Sequence, residues 1–203
     1  MENAVPGLLV GIGLSAACGF RVFVPMLGIS IAALSGHITL ASGFEWIGTW
    51  PALTAFATAT VLEIAAYYIP VVDNMLDTVA TPAAVVAGTI ATASMVGDMS
   101  PFLKWALAII AGGGAAAVIQ ASTVTLRAAA QASAPVVATP VVTTVETAGS
   151  ILATVLAVLS PVLCLSFVVG MCCLMGLVIR RLGLTIRKIF NIIRPRKLSA
   201  PSL

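Results

Sequence analysis

Charge is what this sequence has least of. Asp, Glu, Lys and Arg make up 8% of its 203 residues, and 60% are hydrophobic; a soluble domain is about a quarter charged. With a mean hydropathy of +1.13, this balance excludes a water-soluble domain and predicts an all-α, polytopic transmembrane helical bundle. Aromatic residues are also scarce, at 6%, so the helices must approach one another through Gly and Ala. Such helices bury polar residues poorly in a lone subunit, and a homo-oligomer is expected. His37 is the only histidine, which removes paired-histidine metal patterns, and beside Gly36 it reads as a loop residue. Neither a phosphate-cradling glycine loop followed by Lys and Ser or Thr nor a serine elbow occurs, so no enzyme is expected. Gly11-Ile12-Gly13 and Gly112-Gly113-Gly114 lie in apolar runs, where glycine serves packing. Cys18, Cys164, Cys172 and Cys173 lack metal-ligand spacing and read as free buried thiols. With no basic stretch ahead of the first apolar run, no cleaved signal segment is expected.

What the chain does have is a series of apolar runs, broken at particular places. Residues 5–34 read as a membrane-spanning helix, yet Arg21 falls at their middle, two residues after Gly19 and four before Pro25. A charge at that depth must face protein or water, and the proline breaks or kinks the helix around it. Discontinuous helices of this kind build sites near the bilayer midplane, and residues 19–25 are a candidate re-entrant segment. A loop over 36–50 carries His37, Glu45, Trp46 and Trp50 and belongs at an interface. The second span, 51–69, holds Glu63. Pro70 is expected to end it, leaving 71–79 too short to cross: a surface loop or a re-entrant element over 70–81. Thr81-Pro82 then reads as cap and first turn of a third span to Val96.

A fourth run extends from Phe102 to Ala130, softened by its three glycines and ending with Arg127 nearby. Thr139-Pro140 repeats the cap-and-proline signal, so Val79-Ala80-Thr81-Pro82 and Val137-Ala138-Thr139-Pro140 hint at a weak internal repeat. The block 151–179, interrupted at Ser160-Pro161, fits one kinked helix better than two crossings. These readings give a transmembrane domain over 1–179 with about five crossings, followed by a basic amphipathic tail over 180–203. Arg180, Arg181, Arg187, Lys188, Arg194, Arg196 and Lys197 have no acid among them, which puts the C-terminus in the cytoplasm. Five crossings then put the N-terminus outside, the Lys104 loop inside and the Asp73–Asp77 stretch outside. Leu182, Ile186, Ile189 and Ile193 recur at helical spacing, so the tail is expected to lie on anionic lipid through Arg180, Arg181, Arg187, Lys188 and Arg194, rather than on nucleic acid.

The remaining charges are few enough to weigh singly. Glu63 is flanked by apolar residues and is expected to pair with Arg21 or Arg127, or to relay a proton. Asp73 and Asp77 share a helical face and, with Asn74, offer oxygen ligands to a hard cation, the one bound group expected. The simpler reading is a cap at Asp73 and a solvated or arginine-bound Asp77. Unpaired arginines would attract an organic acid, a phosphate or a lipid headgroup. Arg21, Glu63, Asp73, Asn74 and Asp77, with Arg127 and Glu146 in the second half, are the candidate path for an ion or small charged solute.

The runs from Gly11 to Pro25, Leu62-Glu63-Ile64, Ile69 to Asp77, and Gly97-Asp98-Met99-Ser100 resemble a bacterial family of small integral membrane proteins known only as a domain of unknown function. The likeness covers most of the chain from Pro6 to the end of the hydrophobic block. It implies a multi-pass protein of the bacterial inner membrane and brings no activity with it. The function expected from the charges is a transporter or channel, proton- or cation-coupled. The alternative is a non-transporting scaffold or lipid-handling protein.

Overall fold

The computed structural model describes residues 4–97, 99–133 and 135–193. The fold is an all-α bundle, with no strand among the described residues. Its helices are α1 (Ala4–Cys18), α2 (Phe23–Leu34), α3 (Trp50–Tyr67), α4 (Pro70–Met95), α5 (Pro101–Leu107), α6 (Gly114–Ser133), α7 (Pro135–Leu159) and α8 (Pro161–Ile193). A π-helical stretch, Ala108–Gly113, joins α5 to α6 without a break. Four stretches are long and apolar enough to cross a membrane: Met75–Met95, Pro101–Ala132, Pro140–Leu159 and Pro161–Arg181. The chain is by this measure a membrane protein.

The first apolar run is not one helix. α1 descends along α4, with Gly11 against Thr92 and Ser15 bonded to Gly88 and Thr92. α2 then returns beside α7, from Arg21 at Thr147 to Gly28 at Thr154. The loop after α2 meets the start of α1 around a cavity lined by Pro6, Gly7 and His37–Ala41. α1 and α2 are therefore the arms of a hairpin that starts and finishes at one end of the bundle, with residues 19–22 at its tip. Trp46, Trp50 and Trp105 gather at that end, where Phe44 meets Trp105 and Lys104 reaches the carbonyl of Ser42.

Because the first run folds back, every later helix changes direction relative to the sequence reading. Asp77 lies near the end from which α8 continues toward its arginines, and Lys104 lies at the tryptophan end. The expected placement, with Lys104 beside the tail and Asp77 opposite, is thereby reversed.

Three prolines were misplaced by the sequence reading for one reason. Pro70 opens α4 after an extended Ile69, where a missing N–H costs nothing, so 70–81 is ordinary helix rather than a loop or re-entrant piece. Pro82 and Pro140 lie inside α4 and α7. Thr81 donates to the carbonyl of Asp77 at 2.9 Å and Thr144 to that of Pro140 at 2.8 Å, hydroxyl bonds of the kind that let intramembrane helices carry proline. The echoed Val-Ala-Thr-Pro segments mark no helix start. At Ser160 the chain reverses, and Cys164 Sγ comes 3.3 Å from the carbonyl of Ala153. α7 and α8 form a hairpin, not one kinked helix, because a single non-helical residue followed by a first-turn proline suffices for the turn.

The core is a small-residue seam in which α4 is clasped by α1 on one side and the π-helical stretch on the other. A Cβ on Gly11 would lie 2.8 Å from Thr92 Cα, closer than any side chain sits, so only glycine lets these backbones touch. Gly114 faces open space. Gly11→Ala should therefore cost about 1–3 kcal/mol, while Gly114→Ala should gain up to about 1 kcal/mol from helix propensity. Thermal unfolding in detergent, followed by tryptophan fluorescence, should show the two midpoints moving in opposite directions.

Candidate functional site

A helix interrupted inside an apolar bundle leaves backbone donors that no water can satisfy. At the hairpin tip, Gly19, Phe20 and Arg21 solve this by turning their N–H groups back to the last carbonyls of α1, at 3.1–3.2 Å. Gly19 presses so closely on α6 that a Cβ there would fall 2.6 Å from the carbonyl of Ala116. The N–H groups of Val22 and Phe23, at the start of α2, have no helical partner of their own. Glu63 of α3 accepts both, Val22 on Oε1 at 2.7 Å and Phe23 on Oε2 at 3.0 Å. It also sets a negative charge at the positive end of α2. Glu63 thus caps a helix it does not belong to, and the expected ion pair with Arg21 or Arg127 is replaced by this cap.

Arg21 points from the tip into the space between α3, α6 and α7. Its Nε donates to Thr147 Oγ1 and its Nη2 to the carbonyl of Thr143, both at 3.2 Å, and Nη2 lies 3.5 Å from Glu146 Oε2. The same Glu146 oxygen is bonded by Nη2 of Arg127. Arg127 Nη1 meets Asp77 Oδ1 at 2.6 Å. Between the two arginines stands Tyr67, its ring 4.0 Å from the Arg21 guanidinium carbon and 4.3 Å from that of Arg127. Its hydroxyl reaches Asp77 Oδ1 at 3.4 Å. Stacking on an aromatic face suits guanidinium, whose hydration is weak.

Arg21, Arg127 and Glu146 are only 1–3% exposed. Buried charges this close persist only when compensated, and the two cations and two anions cancel. Three polar atoms here nonetheless find no hydrogen-bond partner among the described residues: Arg21 Nη1, Glu146 Oε1 and Thr143 Oγ1. A cavity of about 360 Å³, lined by Asp77, Thr78, Val124, Arg127, Ala128 and Gln131, lies beside the cluster. A second, of about 350 Å³, is apolar and runs between α6, α7 and α8 from Phe20 and Glu146 to Val178.

Arg21, Asp77, Arg127 and Glu146 are thus brought together, and Glu63 stands at the tip beside them. Asp73 and Asn74 fall in the first turns of α4 with side chains outside the described residues. Asp77 is engaged by Arg127, and among the described residues no three Asp, Glu, His or Cys side chains gather as a metal site would require. Arg180 and Arg181 are exposed on α8, while the side chains of Arg187 and Lys188, and all of Arg194, lie outside the described residues.

Tyr67, Thr143 and Thr147 were missed by the sequence reading. The signal for Tyr67 was its i+4 spacing from Glu63, which sets both on one face of α3. For the threonines it was the recurrence of Thr143, Glu146, Thr147, Ser150 and Thr154 along one stripe of α7.

A family model described as Domain of unknown function (DUF4126) matches residues 8–181. No curated protein matches this chain, and no solved structure does.

The cap assigns different costs to two changes at one position. Glu63→Ala strands two buried N–H groups and should cost about 2–4 kcal/mol. Glu63→Gln keeps one acceptor and should cost about 1–2 kcal/mol. Unfolding midpoints in detergent should rank wild type above Gln and Gln above Ala; equal midpoints for the two variants would refute the cap.

Proposed function

The chain belongs to the DUF4126 family, and from that premise we propose that it is a transporter for a small charged solute. The site is the cluster of Arg21, Tyr67, Asp77, Arg127 and Glu146 at the tip of the α1–α2 hairpin. The observation that carries this reading is a pair of almost fully buried arginines beside a cavity on one side, with the glycine-packed seam of α1, α4 and the π-helical stretch on the other. Polar groups this costly to bury inside a membrane bundle face a solute path by default, and a hairpin tip near midplane depth is where transporters set their sites. The one-sided arrangement favours a carrier, which opens to each side in turn, over a channel open throughout.

On this reading the protein is multi-pass in the bacterial cytoplasmic membrane, with α8 leading to a cytoplasmic tail whose arginines touch anionic lipid. One observation favours the alternative of a non-transporting scaffold. Every acid of the cluster already has a cation or a pair of N–H groups, as a static brace requires.

Osmotic swelling of proteoliposomes separates the two, since it responds to any permeant solute. Vesicles challenged with salts of small monovalent anions and cations should swell faster than protein-free vesicles for one class of solute. Arg127→Gln should abolish that gain if the purified variant stays monodisperse. Swelling no faster than in empty vesicles for every salt would retire the carrier and leave the brace.

A further inference from the structure

We propose that the solute is a monovalent oxyanion, taken into the cluster together with one proton that Glu146 receives. This rests on the carrier reading above. The argument is electrostatic. Arg21, Arg127, Asp77 and Glu146 sum to zero, and Glu63 is offset by the N-terminus of α2. An anion or a cation arriving alone would leave an uncompensated charge in a buried site, a costly state. An anion arriving with a proton leaves the sum unchanged.

The contacts say where each would go. The groups facing Glu146 are Arg21 from the tip, Arg127 from α6, Asp77 from α4 and Tyr67 and Glu63 from α3, while α8 presents Met171 and Met175. Glu146 Oε1 accepts no hydrogen bond among the described residues, so a proton settles there without breaking one. Neutral Glu146 then releases Arg21, for which it is the only carboxylate within ion-pair distance among the described residues. Arg127 keeps Asp77. Protonating Asp77 instead would free neither arginine, because both would still hold Glu146. Arg21 has Nη1 open, and the fully buried hydroxyl of Thr143, whose carbonyl already binds Arg21, is open as well. A guanidinium edge with a hydroxyl beside it is a donor set for a carboxylate or a similar oxyanion. The proton comes from water onto Glu146 Oε1, the anion replaces Glu146 on Arg21, and both leave together with no net charge moved.

Two cavities reach the cluster, one at Asp77 and Arg127 and one apolar at Phe20 and Glu146, so the oxyanion comes either from a water-soluble acid or from an amphiphile. The test measures binding to the full chain in detergent by calorimetry, between about pH 5.5 and 7.5. Its probes are L-lactate and decanoate, which share a carboxylate, with sodium and potassium chloride as cation controls. Affinity for at least one carboxylate should rise about tenfold per unit fall in pH, one proton per anion. The tighter of the two names the source.

Glu146→Gln, a fixed neutral side chain, should bind with a pH-independent affinity near the wild type's acid limit. Thr143→Val removes a hydroxyl that no described protein group uses, so it should weaken binding several-fold and leave the melting midpoint in place. It keeps the test decisive if Glu146→Gln fails to fold. Binding of neither carboxylate, wild-type binding independent of pH, binding untouched by Thr143→Val, or saturation by the chloride controls alone would each overturn the proposal. Carboxylate binding with the expected slope but without vesicle swelling would retire the carrier and keep the site. Swelling in cation salts without carboxylate binding would do the reverse.

Discussion

Two backbone N–H groups, those of Val22 and Phe23, decide how the rest of this molecule is arranged. An interrupted helix cannot persist in an apolar bundle unless its new N-terminus finds an acceptor, since no water replaces the lost bond. Glu63 supplies both oxygens from the neighbouring helix. With the cap in place the chain can turn at Gly19–Val22, send Arg21 sideways into the bundle and return beside α7. Four residues beyond Glu63, Tyr67 arrives between the two guanidiniums. The position of α3 is thus tied to both the cap and the ionic cluster.

The cluster follows a second constraint, electroneutrality in a medium that screens charge poorly. Its cations come from the hairpin tip and α6 and its anions from α4 and α7, so no two of the four share a helix. Such a network holds several helices at fixed mutual height. It also makes the protonation of one carboxylate an event felt across all of them, because Glu146 is shared by both arginines. The same contacts serve as a brace at rest and as a site when one charge is neutralised.

Much of the helical class was legible from composition and from the spacing of apolar runs. The oddness of Arg21 was legible too, since a charge between a glycine and a proline in a greasy stretch has few explanations. What could not be read was pairing across the chain: Arg127 and Asp77 stand 50 positions apart and Val22 and Glu63 stand 41 apart. No local pattern records which buried acid serves which donor. The prolines misled because the cap-and-proline rule comes from water-exposed helix starts. In α4 and α7 threonine hydroxyls and neighbouring helices absorb the cost, and the helix runs through. Ser160 misled in the other direction, because a turn of one non-helical residue leaves almost no loop composition to detect.

The π-helical stretch at Ala108–Gly113 joins two segments with different neighbours. Above it, Trp105 rests on Phe44 at the tryptophan end; below it, Arg127 holds Asp77 and Glu146. A wider turn inserts a residue relative to α-helix, so the two segments are out of phase by about 100°. Winding it back to α-helix would swing Arg127 around its axis while Trp105 stayed still, like a ratchet tooth released from its pawl. The stretch is a torsional coupling, through which the headgroup level at one face of the molecule has mechanical leverage on the ionic lock near the other.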